Sequence, residues 1–266
     1  MAALTLISDI GPHSIGLARC CYLFNSRFSA LDFQLIKADV EQFSIAEAVF
    51  VLNEVIGDFP ENSIHILDVD NDLYRHKKIL VIRYKNQWVM GANNGFAGML
   101  QLNEKDVFAF LPTKTMNLKN VLLHVYPEVI DLLERKAQHL MESNTDYKAL
   151  QNIQPVFNGA ELRGTIIFVD EFGNSISNIT KELFDTCIGT KPFQIKLNRH
   201  EKIRKFHNHF GEVPDGEKLC MWTESAYLQI AINRGSANML LGLDKGKMIT
   251  IEIEQKYDLQ ISKNDF

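Results

Sequence analysis

An apolar run from Gly164 to Val169 passes straight into Asp170-Glu171-Phe172-Gly173-Asn174-Ser175-Ile176-Ser177-Asn178-Ile179. A carboxylate, a Phe-Gly turn and two asparagines therefore cluster at the end of a strand-like segment. Glycine lets a backbone turn sharply or approach a ligand closely, and Asp and Asn place acceptors and donors within a few residues of it. Such a cluster suits an uncharged polar ligand, such as a ribose or an adenine edge. The same residues also make an ordinary polar hairpin, because Asp, Gly and Asn dominate turns.

Three segments of the first half also end in polar residues: Leu4–Ser8 at Asp9, Ser63–Val69 at Asp70, and Trp88–Met90 shortly before Asn93-Asn94. Ligands of open α/β sheets lie outside the carboxyl ends of the strands, so these ends could converge on one pocket; singly, each reads as a loop residue. Asp68 and Asp70 alternate along one strand, which also fits a solvated edge. His65, Arg75, His76, Lys77 and Lys78 form a basic cluster that could hold a carboxylate or polarise a water, or simply face solvent. His207 and His209 alternate as a metal pair would, but no third ligand is near, and no metal is expected. Walker, GxGxxG, GxSxG and HExxH patterns are absent, which leaves the corresponding chemistries unsupported.

The elements that must position these residues fall into two sets. His13–Phe24, Ile45–Ile56 (with Ser44 as N-cap) and Glu128–Met141 have helical spacing, and they alternate with strand-like runs that include Ile79–Tyr84. This predicts an N-terminal α/β domain, residues 1–150, with a largely parallel central sheet. Residues 142–154 are polar and read as a linker. Short strands follow at Thr165–Val169, Phe193–Leu197, Lys218–Trp222, Tyr227–Ile232 and Met248–Glu254, predicting a smaller, mainly β domain over 159–256 and a polar tail over 257–266. The 266 residues carry a net charge of −5, no long apolar run and four cysteines without metal spacing. Nucleic acid and membrane are not expected as partners, and the expected compartment is the cytoplasm.

Four blocks together resemble the S-adenosylmethionine (SAM) hydroxide adenosyltransferases, a family that includes SAM-dependent fluorinases and chlorinases. They are Leu6-Ile7-Ser8-Asp9-Ile10-Gly11; Phe59-Pro60-Glu61-Asn62-Ser63-Ile64-His65 running on to Val69-Asp70; Asp170 to Ile179; and Val213-Pro214-Asp215-Gly216-Glu217 with Tyr227 to Ala237 and Leu241-Gly242-Leu243. The resemblance implies an N-terminal α/β domain, a C-terminal β-barrel-like domain, and a homotrimer with sites at subunit interfaces. SAM, or adenosine, would be substrate or ligand, with no separate cofactor. Asp9 would hold the ribose hydroxyls, Asp170 would face the methionine amine, and Phe172 would pack on the ligand. Asn174 would read the adenine edge, Phe210 would stack on the base, and Ser236 and Ala237 would complete the adenine site. Asn94 stands in the family's turn after a strand and would also bind substrate.

Departures concern the water that attacks C5′ in the hydrolytic members. Asp70 matches the family's Asp. Lys77 falls at the Arg position with Arg75 close by, and Asn117 replaces the His. Asn does not titrate and Lys is no bidentate substitute for Arg. Two expectations follow. One is a divergent SAM hydrolase giving adenosine and L-methionine, with Asp70 aligning water, helped by Arg75, His76 or Lys77. The other is a catalytically silent SAM or nucleoside binder. Halogenation has no halide pocket to support it.

Overall fold

The structure is a computed structural model describing residues 1–100, 107–113, 116–143, 146–150, 154–197 and 201–254. The chain divides into two compact units, Met1–Asn152 and Ile153–Phe266. In the first unit the order is β1 (Ala3–Ser8), α1 (Ile15–Arg27), β2 (Asp32–Lys37), α2 (Ile45–Val55), β3 (Ile64–Asp68), α3 (Leu73–His76), β4 (Ile79–Tyr84), β5 (Gln87–Ala92), β6 (Val107–Phe110), α4 (Val121–His124), α5 (Tyr126–Glu134) and β7 (Glu142–Ser143). The sheet runs β2-β1-β3-β5-β4-β6-β7. Every residue of β1 and β3 is buried, as expected of central strands covered on both faces.

The expected parallel character holds for β2, β1, β3 and β5. Beyond them the sheet is antiparallel through β4, β6 and β7. The switch is local: only Lys85 and Asn86 join β4 to β5, both at positive φ, which is a two-residue hairpin geometry. The helix expected over Glu128–Met141 stops at Glu134. Lys136 turns left-handed at φ 54, and Ala137 N donates to the Leu132 carbonyl, a closure that ends helices. Ser44 stands at the N-cap of α2 but makes no side-chain cap bond. Residues 142–154, expected as a linker, are in part structural: Glu142 and Ser143 pair with Ala109 and Phe108, and Leu150 N donates to the Gly95 carbonyl.

One buried polar chain crosses this sheet. Gln87 donates through Nε2 to the Ile56 carbonyl (2.7 Å), so its Oε1 accepts from His65 Nε2 (2.7 Å), and His65 Nδ1 accepts from Thr5 Oγ1 (2.7 Å). His65 is fully buried, and that burial holds the imidazole below its usual pKa. It is therefore a neutral sheet residue rather than part of a basic surface cluster. Asp68, closing β3, is 1% exposed, so it does not lie on a solvated edge. It accepts from Ser8 Oγ at 2.8 Å and from Asn71 Nδ2. Burial pushes its carboxyl up to about 6, against the lowering by those two donors, with Asp9 adding to the rise.

The second unit contains β8 (Val156–Phe157), β9 (Glu161–Val169), β10 (Ser175–Thr180), α6 (Lys181–Cys187), β11 (Phe193–Lys196), β12 (Lys202–Ile203), β13 (Lys218–Trp222), β14 (Tyr227–Ile232), α7 (Ala237–Leu241) and β15 (Met248–Ile253). Its antiparallel sheet runs β12-β11-β15-β9-β10-β14-β13, with β8 on β9. The long β9 serves both halves, pairing β15 through Thr165 and β10 from Ile166 onward. At Gly164 a Cβ would lie 2.5 Å from Ile179 Cγ1, so only glycine lets the sheet fold so closely over itself. The end strands β12 and β13 approach one another, giving a nearly closed barrel. The expected tail, 257–266, lies outside the described residues.

Two consequences can be measured. Gln87→Ala leaves His65 Nε2 buried without its acceptor and takes the side-chain donor from the Ile56 carbonyl, and should lower denaturant stability by roughly 1–3 kcal/mol. Asp68 binds its proton more tightly folded than unfolded. Its contribution is full below pH 4 and is lost as pH rises through about 6, by roughly 3 kcal/mol. Unfolding curves of Asp68→Asn should lack that decline, and a parallel pH profile in both proteins would refute it.

Candidate functional site

At the carboxyl ends of β1 and β3, one oxygen gathers three loops. Asp9 Oδ2 accepts from the amides of Phe43 (3.0 Å) and Asp70 (3.3 Å). Asp70 sits in the left-handed region at φ 45, a conformation that Asp adopts more readily than most residues with a side chain. Its side chain is fixed from the other end: Oδ2 accepts from His76 Nε2 at 3.0 Å. No donor among the described residues reaches Asp70 Oδ1. The loop after β3 makes this possible. Asp72 caps α3 by accepting from the amides of Tyr74 and Arg75, and the single helical turn brings His76 back over Asp70, buried at 4% exposure. Lys77, at φ 70, then ends the helix.

The remaining residues expected here are placed differently. Arg75 and Lys77 are exposed on either side of the buried His76. Asn117 is exposed, and its Oδ1 accepts from Lys119 N. Asn94 is buried with both ends of its amide used within the turn: Nδ2 donates to the Val69 carbonyl (2.7 Å) and Oδ1 accepts from Phe96 N (3.1 Å). Asn94 thus ties the loop after β5 to the loop after β3.

Two residues that no sequence motif marks lie at this place. Lys148 donates from Nζ to His76 Nδ1 at 3.1 Å, and its own amide donates to Asn93 Oδ1 at 2.9 Å. Phe43 is 69% exposed at φ 65, an apolar ring standing out beside the Asp9 carboxylate. A lone Phe in a loop and a lone Lys in a polar stretch carry no sequence signal of this.

In the second unit the β9–β10 hairpin is both turn and site wall. Asp170 Oδ1 accepts from the amides of Phe172 and Asn174, both at 2.9 Å, and Oδ2 accepts from Asn174 Nδ2 at 2.8 Å. The carboxylate is the organiser of the turn, which leaves Asn174 Oδ1 for another partner. Gly173 has φ 77, and a Cβ there would lie 2.1 Å from Ser236 Oγ. Ser236 caps α7, and Asn238 N donates to the Gly173 carbonyl. Ala237 is fully buried beneath that contact. The packing holds Phe172, 80% exposed, on the rim of an open pocket of about 450 Å³ lined also by Asn174, Phe210, Ile232, Arg234 and Gly235. An aromatic pair flanking an amide suits a flat heteroaromatic ligand. His207 is buried and His209 exposed, so the two rings do not share a face. Among the described residues, no group of three or more His, Cys, Asp or Glu is placed to hold a metal ion.

Comparison with known proteins assigns both units to one family. Residues 4–144 match the N-terminal domain of the SAM hydroxide adenosyltransferases and residues 164–250 their C-terminal domain. A curated relative, the (R)-S-adenosyl-L-methionine hydrolase of Methanocaldococcus jannaschii, is 22% identical over 222 residues, 79% of this chain and 78% of the relative. The Thermus thermophilus protein of the same name is 27% identical over 88 residues, 33% of this chain and 31% of its own. Among solved structures, an uncharacterized conserved protein from Thermotoga maritima superposes with TM-score 0.82 at 22% identity, covering 93% of this chain and 99% of its own. A conserved hypothetical protein from Thermus thermophilus gives TM-score 0.64 at 18% identity, over 96% and 100%. The order and extent of the two domain matches settle the assignment: the chain belongs to the SAM hydroxide adenosyltransferase family.

Proposed function

We propose that this protein hydrolyses SAM to adenosine and L-methionine by attack of water on C5′. The observation that carries the reading is the Asp70 carboxylate, immobilised through Oδ2 and open at Oδ1, beside the Asp9 carboxylate at the ends of two parallel strands. Asp70 Oδ1 accepts a hydrogen bond from the water and takes its proton as the C5′–O bond forms and the C5′–S bond breaks. The sulfonium leaves as a neutral thioether, so the step needs alignment more than a strong base. Orientation of this kind supplies roughly 7–11 kcal/mol in favourable cases.

In this reading Asp9 holds the ribose hydroxyls through Oδ1, and Phe172 and Phe210 flank the adenine. Asn174 reads the adenine edge, and the 170–174 turn presents the remaining lone pairs of Asp170 to the methionine amine. The family likeness supports a homotrimer, which sedimentation of the purified protein tests. Four cysteines without a disulfide fit a reducing compartment, and we assign the protein to the cytoplasm. A catalytically silent SAM or nucleoside binder is the second reading, favoured by the exposure of Arg75 and Lys77 and by the surface placement of Asn117.

Incubation of the pure protein with SAM, followed by chromatography for adenosine, separates the two: saturable binding without adenosine release leaves only the silent binder. Asp70→Asn keeps the shape and removes the base, and should lower kcat at least 100-fold with KM within about threefold. Phe172→Ala should instead weaken SAM affinity about tenfold through lost stacking with kcat little changed. Equal losses in both parameters for both variants would contradict this division of labour.

A further inference from the structure

We propose that Lys148 and His76 are positioning residues for Asp70, Lys148 fixing the tautomer through which His76 donates to the carboxylate. The inference deepens the hydrolase reading and rests on it for its kinetic consequence, though not for its geometry. An ammonium has donors and no acceptor. With Lys148 Nζ 3.1 Å from His76 Nδ1, Nδ1 must present its lone pair, so the ring proton sits on Nε2 and is donated to Asp70 Oδ2 at 3.0 Å. A proton on Nδ1 would point at the ammonium hydrogens and leave that hydrogen bond unmade.

The consequence falls on Asp70. With the ring proton on Nε2, His76 fixes Asp70 Oδ2 and leaves Oδ1 to face the water.

Lys148 is brought to His76 by a strap, residues 146–150, laid over the turn after β5. Lys148 N is tied to Asn93 Oδ1 (2.9 Å) and Leu150 N to the Gly95 carbonyl (3.3 Å). The strap lies so close that a Cβ on Gly98 would come 2.6 Å from Ala149 Cα, and one on Gly95 2.3 Å from Leu150 Cγ. Two glycines and an asparagine in one turn thus form the seat of the strap, and Lys78 Nζ holds its start by donating to the Asp146 carbonyl at 2.8 Å.

Ring-nitrogen NMR of ¹⁵N-histidine-labelled protein at neutral pH tests this, with His76→Gln identifying the signals. In the wild type, His76 should carry its proton on Nε2 and a bare lone pair on Nδ1. Lys148→Met should abolish that pattern and bring a proton to Nδ1, with kcat reduced about tenfold and KM unchanged; Lys148→Arg, again a pure donor, should restore both. Gly98→Val, which displaces the strap while leaving Lys148 in the chain, should behave as Lys148→Met does. A wild-type ring protonated on Nδ1, or a Lys148→Met protein with wild-type ring signals, would overturn the proposal. If the wild type shows no hydrolysis, the hydrolase reading falls and the ring signals still decide whether Lys148 sets the state of His76.

Discussion

Pairing β1 with β3 in the register Ser8↔Asp68 crowds three carboxylates, those of Asp9, Asp68 and Asp70, onto one edge of the sheet, and the site follows from how that crowding is relieved. Like charges this close cannot all remain bare. Asp68 goes inside, takes two donors and has its pKa raised to about 6. Asp9 spends one oxygen on two backbone amides. Asp70 is left at the surface of the cluster with a histidine behind it. Three identical chemical groups thereby acquire three settings, a buried anchor, a loop organiser and a carboxylate with one oxygen left open, through environment alone.

The same logic separates this chain from the pattern it resembles. The positions where the resemblance leads one to expect an Arg and a His hold Lys77 and Asn117, and both are exposed. The side-chain partner of Asp70 is instead His76, from the loop after its own strand, and His76 is in turn met by Lys148 of the strap at 146–150. A carboxylate at a strand end needs something to orient it, and more than one stretch of chain can provide that. Loss of residues at expected positions therefore says less about loss of chemistry than the pairing of the carboxylate itself.

Much of the architecture was legible because it rests on short-range patterns. Ile79–Tyr84, Lys218–Trp222 and Tyr227–Ile232 are strands in the structure at those bounds, as alternating or continuous apolar runs terminated by turn residues predict. The end of α5 was not legible, since it depends on Lys136 adopting a left-handed conformation with no glycine to signal it. Nor was the antiparallel half of the first sheet, which hangs on two residues, Lys85 and Asn86. At the site, Asp9 and Asp70 could be singled out as strand-end carboxylates. The split between the buried His76 and its exposed neighbours Arg75 and Lys77 could not, because it depends on the phase of one helical turn. Lys148 was invisible for a different reason: it is 72 residues from His76 in sequence, in a stretch whose composition reads as linker.

The central claim is that water, held by Asp70, attacks C5′ of SAM, and isotopic labelling tests it most directly. Reaction in H₂¹⁸O followed by mass spectrometry of the nucleoside should give adenosine carrying one ¹⁸O at the 5′-hydroxyl, formed by the wild type and not by Asp70→Asn. Unlabelled adenosine, or SAM recovered intact after prolonged incubation with protein that binds it, would contradict the account.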